Sequence, residues 1–367
     1  MSRPQRFPDQ AMLSRYRLHI LASGDAVPKI TLKDVAARAG VHASTASRAL
    51  DPAKGSMVHD ATVARVRAAA EELGYQGDAV ASGLRRGRTN TLGIVVADLG
   101  NPFIAPVVRG VENHLEGRGL MALIAETRDE HERMSRVLHN LAARRVDAVI
   151  VTAARSGDDR ILRKAQQQMP IVLAVRHLPG SGLPAITHDD ERGGRLAAEH
   201  LLEHGHRRIA QLCGPRDISS FQGRAAGFRE RLRDEGIEVI EVDDTAQRPI
   251  LTEGRRLMEL LLAAGSEPPT AVFAHNDLMA FGALQALADQ GRACPKDVAV
   301  IGYNDTPMTG FTDPPITTVR LPGYEVGRMA ADLAATLIDD GDHQGTSLSL
   351  PPVLVPRHST LGWRART

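Results

Sequence analysis

The chain has 367 residues, 43% of them hydrophobic and 24% charged, with a formal net charge of +1. Those proportions suit a globular protein of two or three domains, and no run approaches the roughly 18 apolar residues that a membrane span needs. With only Cys213 and Cys294 the chain excludes a disulfide framework, and a cytoplasmic protein without metal or cofactor is expected. The charge is uneven. Residues 1–90 hold 14 lysines and arginines against 8 aspartates and glutamates, and the remainder carries the opposite excess. A basic front module suits a polyanion, and a mildly acidic body suits a different partner.

Residues 1–28 mix Pro, Arg, Gln and Asp and carry no pattern that places them in a fold, so they are set apart as an N-terminal extension. From Thr31 to Leu50, TLKDVAARAGVHASTASRAL reads as two short helices meeting at a tight turn. Thr31 is the expected N-cap, Asp34 favours the helix N-terminus, and Val35, Ala36 and Ala39 make a narrow apolar face. Gly40 ends the first helix with a residue at ease at positive φ. The second helix, Ala43–Leu50, keeps Ala46, Ala49 and Leu50 on its apolar side and shows Ser44, Thr45, Ser47 and Arg48 on the other. Small residues at the crossing suit a helix-turn-helix, and short hydroxyls with one guanidinium suit phosphates and base edges. Taken alone, such an alanine-rich pair also fits an ordinary helical hairpin.

A polar loop, Asp51–Asp60, leads to a third helix over about Ala61–Leu73, with Val63, Val66, Ala70 and Leu73 on one face. Residues 29–76 thus form one small helical domain. Residues 77–90 are expected to be a linker in which Asp78 can cap a short helix with an apolar Val80–Leu84 stripe, weakened by Gly83 and followed by Arg85, Arg86 and Arg88. One and a half turns are marginal in water, so this segment is expected to fold only when docked. From Thr91 the pattern changes to strands alternating with amphipathic helices. Strands are expected at Leu92–Val96, Leu120–Ala125, Ala148–Thr152, Ile171–Val175, Ile209–Leu212, Ala271–Ala274, Val298–Gly302 and Val353–Val355. Alternation of this kind makes an α/β body of parallel sheets, and residues 91–363 are long enough for two lobes facing a cleft.

At this point the chain resembles the LacI/GalR family of bacterial transcription regulators. TLKDVAARAGV and STASRAL carry the resemblance first, then LGYQGDAVASGLRRGRTNTLGIVVADLGNPF (Leu73–Phe103). EHLLEHGHRRIAQLCGP, RAAGF, HNDLMAFGAL, VAVIGYNDTP and PPITTVR follow in order. The resemblance implies a helix-turn-helix headpiece, a hinge helix and a body like periplasmic sugar-binding proteins. It also implies a homodimer, or a tetramer, on near-palindromic double-stranded operator DNA, with a sugar, sugar acid or related metabolite as effector. A repressor of carbohydrate or sugar-acid genes is the expectation.

Carried over by motif, Ala43, Ser44 and Arg48 take the base-reading positions, with Arg48 suited to guanine O6 and N7. Thr31, Thr45 and Ser47 suit phosphates. Leu84 takes the place of the leucine that wedges into the minor groove, with Ala81 beside it. The chain departs from the family at His42 and His59, where serines are usual at two helix starts, and at Gly77 and Gly83 in the hinge. Effector contacts are expected from Asp98, Asn101, Phe103, Arg176, Arg224, Asn276, Asp277 and Asn304, at strand ends and in the loops after them. Asp277 has an alternative as a helix cap. Aromatics are only 3% of the chain, with Trp363 near its end, so stacking on a ligand falls to Phe103 or Phe221. Asn304 stands where relatives often have aspartate, which would leave Arg176 and Arg224 less neutralised and favours an acidic sugar.

The rivals are an α/β enzyme and a sugar-binding protein with an accessory helical domain. The sequence has no phosphate-binding glycine loop, no G-x-S-x-G and no metal-ligand spacing. The His-rich EHLLEHGH reads as a helix end, where histidine suits the C-terminal dipole. No catalytic residue is expected.

Overall fold

The computed structural model describes residues 30–51, 57–75, 88–264, 267–340 and 345–362. The hinge residues Ala81 and Leu84, with Gly77 and Gly83, lie outside them, as do residues 1–28 and Trp363. The chain divides into two compact units between Ser82 and Gly83.

Among the described residues the first unit packs three helices, α1 (Leu32–Ala39), α2 (Ala43–Leu50) and α3 (Asp60–Glu72). Their shared core is almost entirely methyl groups: Val35, Ala36, Ala39, Ala46, Ala49, Val66, Ala69 and Ala70. Such short side chains let the helix axes approach closely. Gly40, at φ 64°, closes α1: its N–H donates to the Ala37 carbonyl and that of Val41 to the Ala36 carbonyl. A Cβ there would meet nothing within 4 Å, so backbone conformation alone asks for glycine. Arg65 Nε donates to the last α1 residue, Ala39, at its carbonyl (3.0 Å).

The second unit contains two sheets. The first runs in the order β10-β5-β4-β3-β1-β2, from β1 (Thr91–Val96), β2 (Met121–Glu126), β3 (Ala148–Val151), β4 (Ile171–Val175), β5 (Ala185–His188) and β10 (Ser347–Leu350). All its pairings are parallel. The second runs β11-β9-β8-β7-β6, from β6 (Ile209–Leu212), β7 (Ala271–Ala274), β8 (Ala299–Asn304), β9 (Thr317–Arg320) and β11 (Val353–Val355). Only its edge strand β11 is antiparallel. Strand β1 shows why the sequence folds this way: Leu92, Ile94 and Val96 enter one core and Val95 the other, because both sheet faces are covered.

Helices α4 (Ile104–Glu116), α5 (His131–Ala143), α6 (Asp159–Gln166) and α11 (Gly323–Asp340) belong to the first lobe. Helices α7 (Asp190–Glu203), α8 (Ser219–Asp234), α9 (Leu251–Ala263) and α10 (Asp277–Asp289) belong to the second. The chain crosses between lobes three times, after β5, β9 and β10. Strands β5, β9 and β10 were not foreseen; AITH, TTVR and SLSL are too polar to read as buried strands.

Candidate functional site

Each of the two units carries a candidate site. In the headpiece, Ser44 and Arg48 are exposed on α2, and Thr45 and Ser47 are partly exposed. Ala43 is partly buried against the headpiece core, so only part of its methyl is left for a base. Asp34 closes the start of α1, with Thr31 N–H and Oγ1 both donating to its Oδ2 (2.8 and 2.6 Å). Those two bonds hold the Asp34 carboxyl below its usual range. They also commit the Thr31 hydroxyl proton, which a phosphate contact would have to win back. His42 caps α2 through Nδ1, which accepts from Ser44 N–H at 3.3 Å. His59 makes no side-chain cap to α3.

In the body, loops at the carboxyl ends of the strands enclose a cavity between the lobes. Asp98, Asn101, Phe103, Arg176, Arg224, Asn276 and Asn304 all line it, with Thr152, Ser220, Phe221 and Pro249. Its free space is about 40 Å³, room for a few water molecules, because its own side chains fill most of it. Four ties span it. Asp217 accepts two bonds from Arg155 (2.7 and 2.9 Å), and the Asp217 carbonyl accepts from Ser156 N–H (2.8 Å). Ser219 Oγ accepts from His177 N–H (3.0 Å), and Arg248 pairs with Asp98 (3.3 Å).

Backbone strain aims two of the lining residues. Val175 stands at φ 68°, the centre of a γ-turn closed by Arg176 N–H to the Ala174 carbonyl at 2.7 Å. For a β-branched residue that conformation is costly, and it turns the chain so that Arg176 enters the cleft. Asn304, at φ 111°, is buried with an Oδ1 that has no hydrogen-bond partner among the described residues.

Each cleft arginine has a carboxylate partner. Arg176 Nη1 meets Asp129 Oδ1 at 2.6 Å, and Arg224 Nε meets Asp190 Oδ1 at 2.9 Å. Arg224 also donates to the His275 carbonyl (2.6 Å) and lies 4.0 Å from the centre of the Tyr303 ring. The Arg224–Asp190 contact depends on close packing of α7 on α8. A Cβ on Gly194 would stand 2.2 Å from the Arg224 carbonyl oxygen, and one on Gly227 would stand 1.9 Å from that of Glu191. Burial raises the Asp190 carboxyl above its usual range, and the adjacent Arg224 charge opposes that shift. Nearby, burial and then the Arg224 charge push the His188 imidazole down to about 3. Neither of its ring nitrogens has a partner among the described residues.

Three expectations are corrected by this geometry. Arg176 and Arg224 are not left unneutralised by Asn304, because Asp129 and Asp190 compensate them. Asp277 does not line the cavity: it is fully buried, accepting from Thr306 N–H (2.7 Å), Thr306 Oγ1 (3.0 Å) and Thr318 Oγ1 (2.6 Å). Burial pushes its carboxyl up to about 7, against those three donors. The cap of α10 is Asn276 instead, whose Oδ1 accepts from Met279 N–H (2.7 Å) while Nδ2 donates to the Pro249 carbonyl (2.8 Å). Asn276 therefore lines the cleft with one donor and one lone pair of its amide already committed to the fold. The His-rich stretch spends its nitrogens within the fold, His200 on Thr360 Oγ1 (2.7 Å) and His204 on the His200 carbonyl (2.8 Å). Ser220 and Thr152 were missed, since a single hydroxyl in the first turn of a helix or just past a strand gives no pattern in sequence.

A three-helix headpiece followed by a two-lobed, cleft-bearing α/β body defines a ligand-responsive DNA-binding protein. Residues 31–78 match the family of bacterial regulatory proteins, lacI family, and residues 198–360 match the periplasmic binding protein-like domain. The ribose operon repressor of Escherichia coli (strain K12) is 34% identical over 334 residues, spanning 90% of this chain and 99% of the relative. Among solved structures, the transcriptional regulator CelR–cellobiose complex is 33% identical over 90% of this chain and 99% of that one, with a TM-score of 0.68. The lac repressor dimer bound to operator and an anti-inducer is 28% identical over 91% and 99%, with a TM-score of 0.80. The chain belongs to the LacI family of bacterial transcriptional regulators. Its relatives are DNA-binding repressors and not enzymes, which removes the enzyme rival. Among the described residues no helix is long and apolar enough to cross a membrane.

Proposed function

We propose that this regulator acts in the cytoplasm as a homodimeric repressor of carbohydrate-utilisation genes, released or recruited by a small neutral polyhydroxylated effector in the body cleft. On DNA, Arg48 and Ser44 read base edges, Ala43 offers a methyl contact, and Thr31, Thr45 and Ser47 meet phosphates. Ala81 and Leu84, outside the described residues, supply the minor-groove wedge of the hinge.

The observation that carries the effector class is charge compensation in the cleft. Arg176, Arg224 and Arg248 are matched by Asp129, Asp190 and Asp98, each pair within 3.3 Å. A carboxylate ligand entering such a site would have to displace one of these partners, whereas hydroxyl groups can both donate to the aspartates and accept from the arginines. Phe103 and Phe221 supply apolar faces for a ring. Relatives described with ribose and cellobiose fit the same chemistry. The free volume of about 40 Å³ is too small for a sugar, so the lining side chains or the lobes must move to admit one, and that rearrangement is the event through which ligand alters operator affinity.

The test is calorimetric titration of the full chain with D-ribose, cellobiose and gluconate, with and without operator duplex. A neutral sugar should bind more tightly than gluconate, and operator should change its affinity by the factor that the sugar changes operator affinity. Tighter binding of gluconate would overturn the neutral-effector assignment.

A further inference from the structure

The start of α2 carries information about operator sequence, on the premise that α2 is the recognition helix. His42 Nδ1 lies 3.3 Å from the backbone nitrogen of Ser44 and 2.8 Å from Ser44 Oγ. A backbone N–H can only donate, so Nδ1 is the acceptor in the cap and carries no proton. The ring proton is then on Nε2. Facing an unprotonated nitrogen at 2.8 Å, the Ser44 hydroxyl can only donate, sharing the single in-plane lone pair of Nδ1 with the longer bond from the Ser44 N–H in a three-centre arrangement. A hydroxyl has a single hydrogen. Toward DNA, exposed Ser44 therefore retains lone pairs only.

We propose that His42 makes Ser44 an acceptor-only reader, so that each half-site presents an exocyclic amino group, adenine N6 or cytosine N4, opposite Ser44. Guanine shows O6 and N7 in the major groove and thymine shows O4 and a methyl group. All three polar atoms are acceptors, and Ser44 has no proton left for them. A serine without this neighbour would turn its hydroxyl to suit any base and carry little sequence information. Discrimination at this position comes from His42, a residue that need not touch a base itself.

The decisive variant is His42→Ser, which keeps a side-chain oxygen at the N-cap while returning the Ser44 proton. Full-chain wild type, His42→Ser, Ser44→Ala and Arg48→Ala would be measured against duplexes varied one position at a time. Nitrogen-detected spectra of the wild-type histidine rings report which His42 nitrogen is protonated. In the wild type, one position per half-site should favour A or C over G or T on the contacted strand by about fivefold or more, the scale of one mismatched contact. His42→Ser and Ser44→Ala should both erase that preference, and Arg48→Ala should relax a different position. A preference lost in Ser44→Ala but kept in His42→Ser, or a proton found on His42 Nδ1, overturns the coupling and leaves α2 as the recognition helix. Matrices unchanged in both Ser44→Ala and Arg48→Ala would remove α2 from the base edges altogether.

Discussion

Replacing Arg224 by alanine tests how the body cleft is held together. The side chains of Arg224 and Asp190 are 4% and 8% exposed, so the substitution strands a carboxylate in a buried site. It also takes the donor from the His275 carbonyl and the cation from the Tyr303 ring. Breaking a buried pair from one side costs about 3–5 kcal/mol, a large part of the roughly 5–15 kcal/mol that holds a domain folded. Urea unfolding of the full chain should show that loss as an earlier body transition. The double variant Arg224→Met, Asp190→Leu removes both charges and should recover most of it, because well-packed apolar replacements of buried pairs are near neutral. A single variant within about 0.5 kcal/mol of wild type would refute the pairing, since that is the range of an inconsequential surface change. It follows that Arg224→Ala is not a clean ligand-blind variant. Loss of effector response in it means something only beside its stability.

Three other outcomes are expected. Arg48→Ala should cost about 1–3 kcal/mol of specific operator binding, read by fluorescence anisotropy at fixed salt, with discrimination relaxed at one base pair per half-site. Asp277→Ala strands the Thr306 and Thr318 donors, so it should lower thermal stability while effector affinity in the folded protein stays close to wild type; lost binding with undiminished stability would return Asp277 to the cleft. His188 is held down to about 3, against about 6.5 when unfolded. The unfolded chain therefore takes up the proton first, and this stability is present above pH 6.5 and lost as the pH falls toward 3. At pH 5.5 the loss from this one group is about 1.4 kcal/mol by linkage, and His188→Leu should remove about that much of the unfolding free energy lost between neutral pH and pH 5.5 in urea titrations, flattening the dependence on pH. An unchanged slope would contradict the burial of a neutral imidazole.

The body was legible where burial is two-sided. LGIVV, AVI and IVLAV read as strands because parallel strands covered on both faces need apolar side chains throughout. Strand β9 escaped notice because its threonines are buried through side-chain hydrogen bonds: Thr317 with Arg357 and Thr360, Thr318 with Asp277. The headpiece was legible because its crossing demands small residues at fixed spacing and Gly40 at its turn. Within the cleft, the loops that contribute lining residues could be read from strand ends, but the partners could not. Asp129 lies 47 residues from Arg176 and Asp190 lies 34 from Arg224, pairings that only the tertiary fold creates. Asn276 and Asp277 show the finer limit. One residue of helical rotation decides which of two adjacent polar side chains faces the cavity and which is buried beneath it.

Selection of duplexes from a random pool by the full chain, at about 0.15 M salt where nonspecific phosphate binding is weakened, tests the DNA-binding assignment most directly. A twofold assembly of helix-turn-helix headpieces predicts enrichment of a near-palindromic site, with half-sites spaced by whole helical turns or by the hinge-bent equivalent. The same selection with Arg48→Ala should lose one conserved base pair from each half. Recovery of no consensus by the wild type, or of one without twofold symmetry, would contradict it.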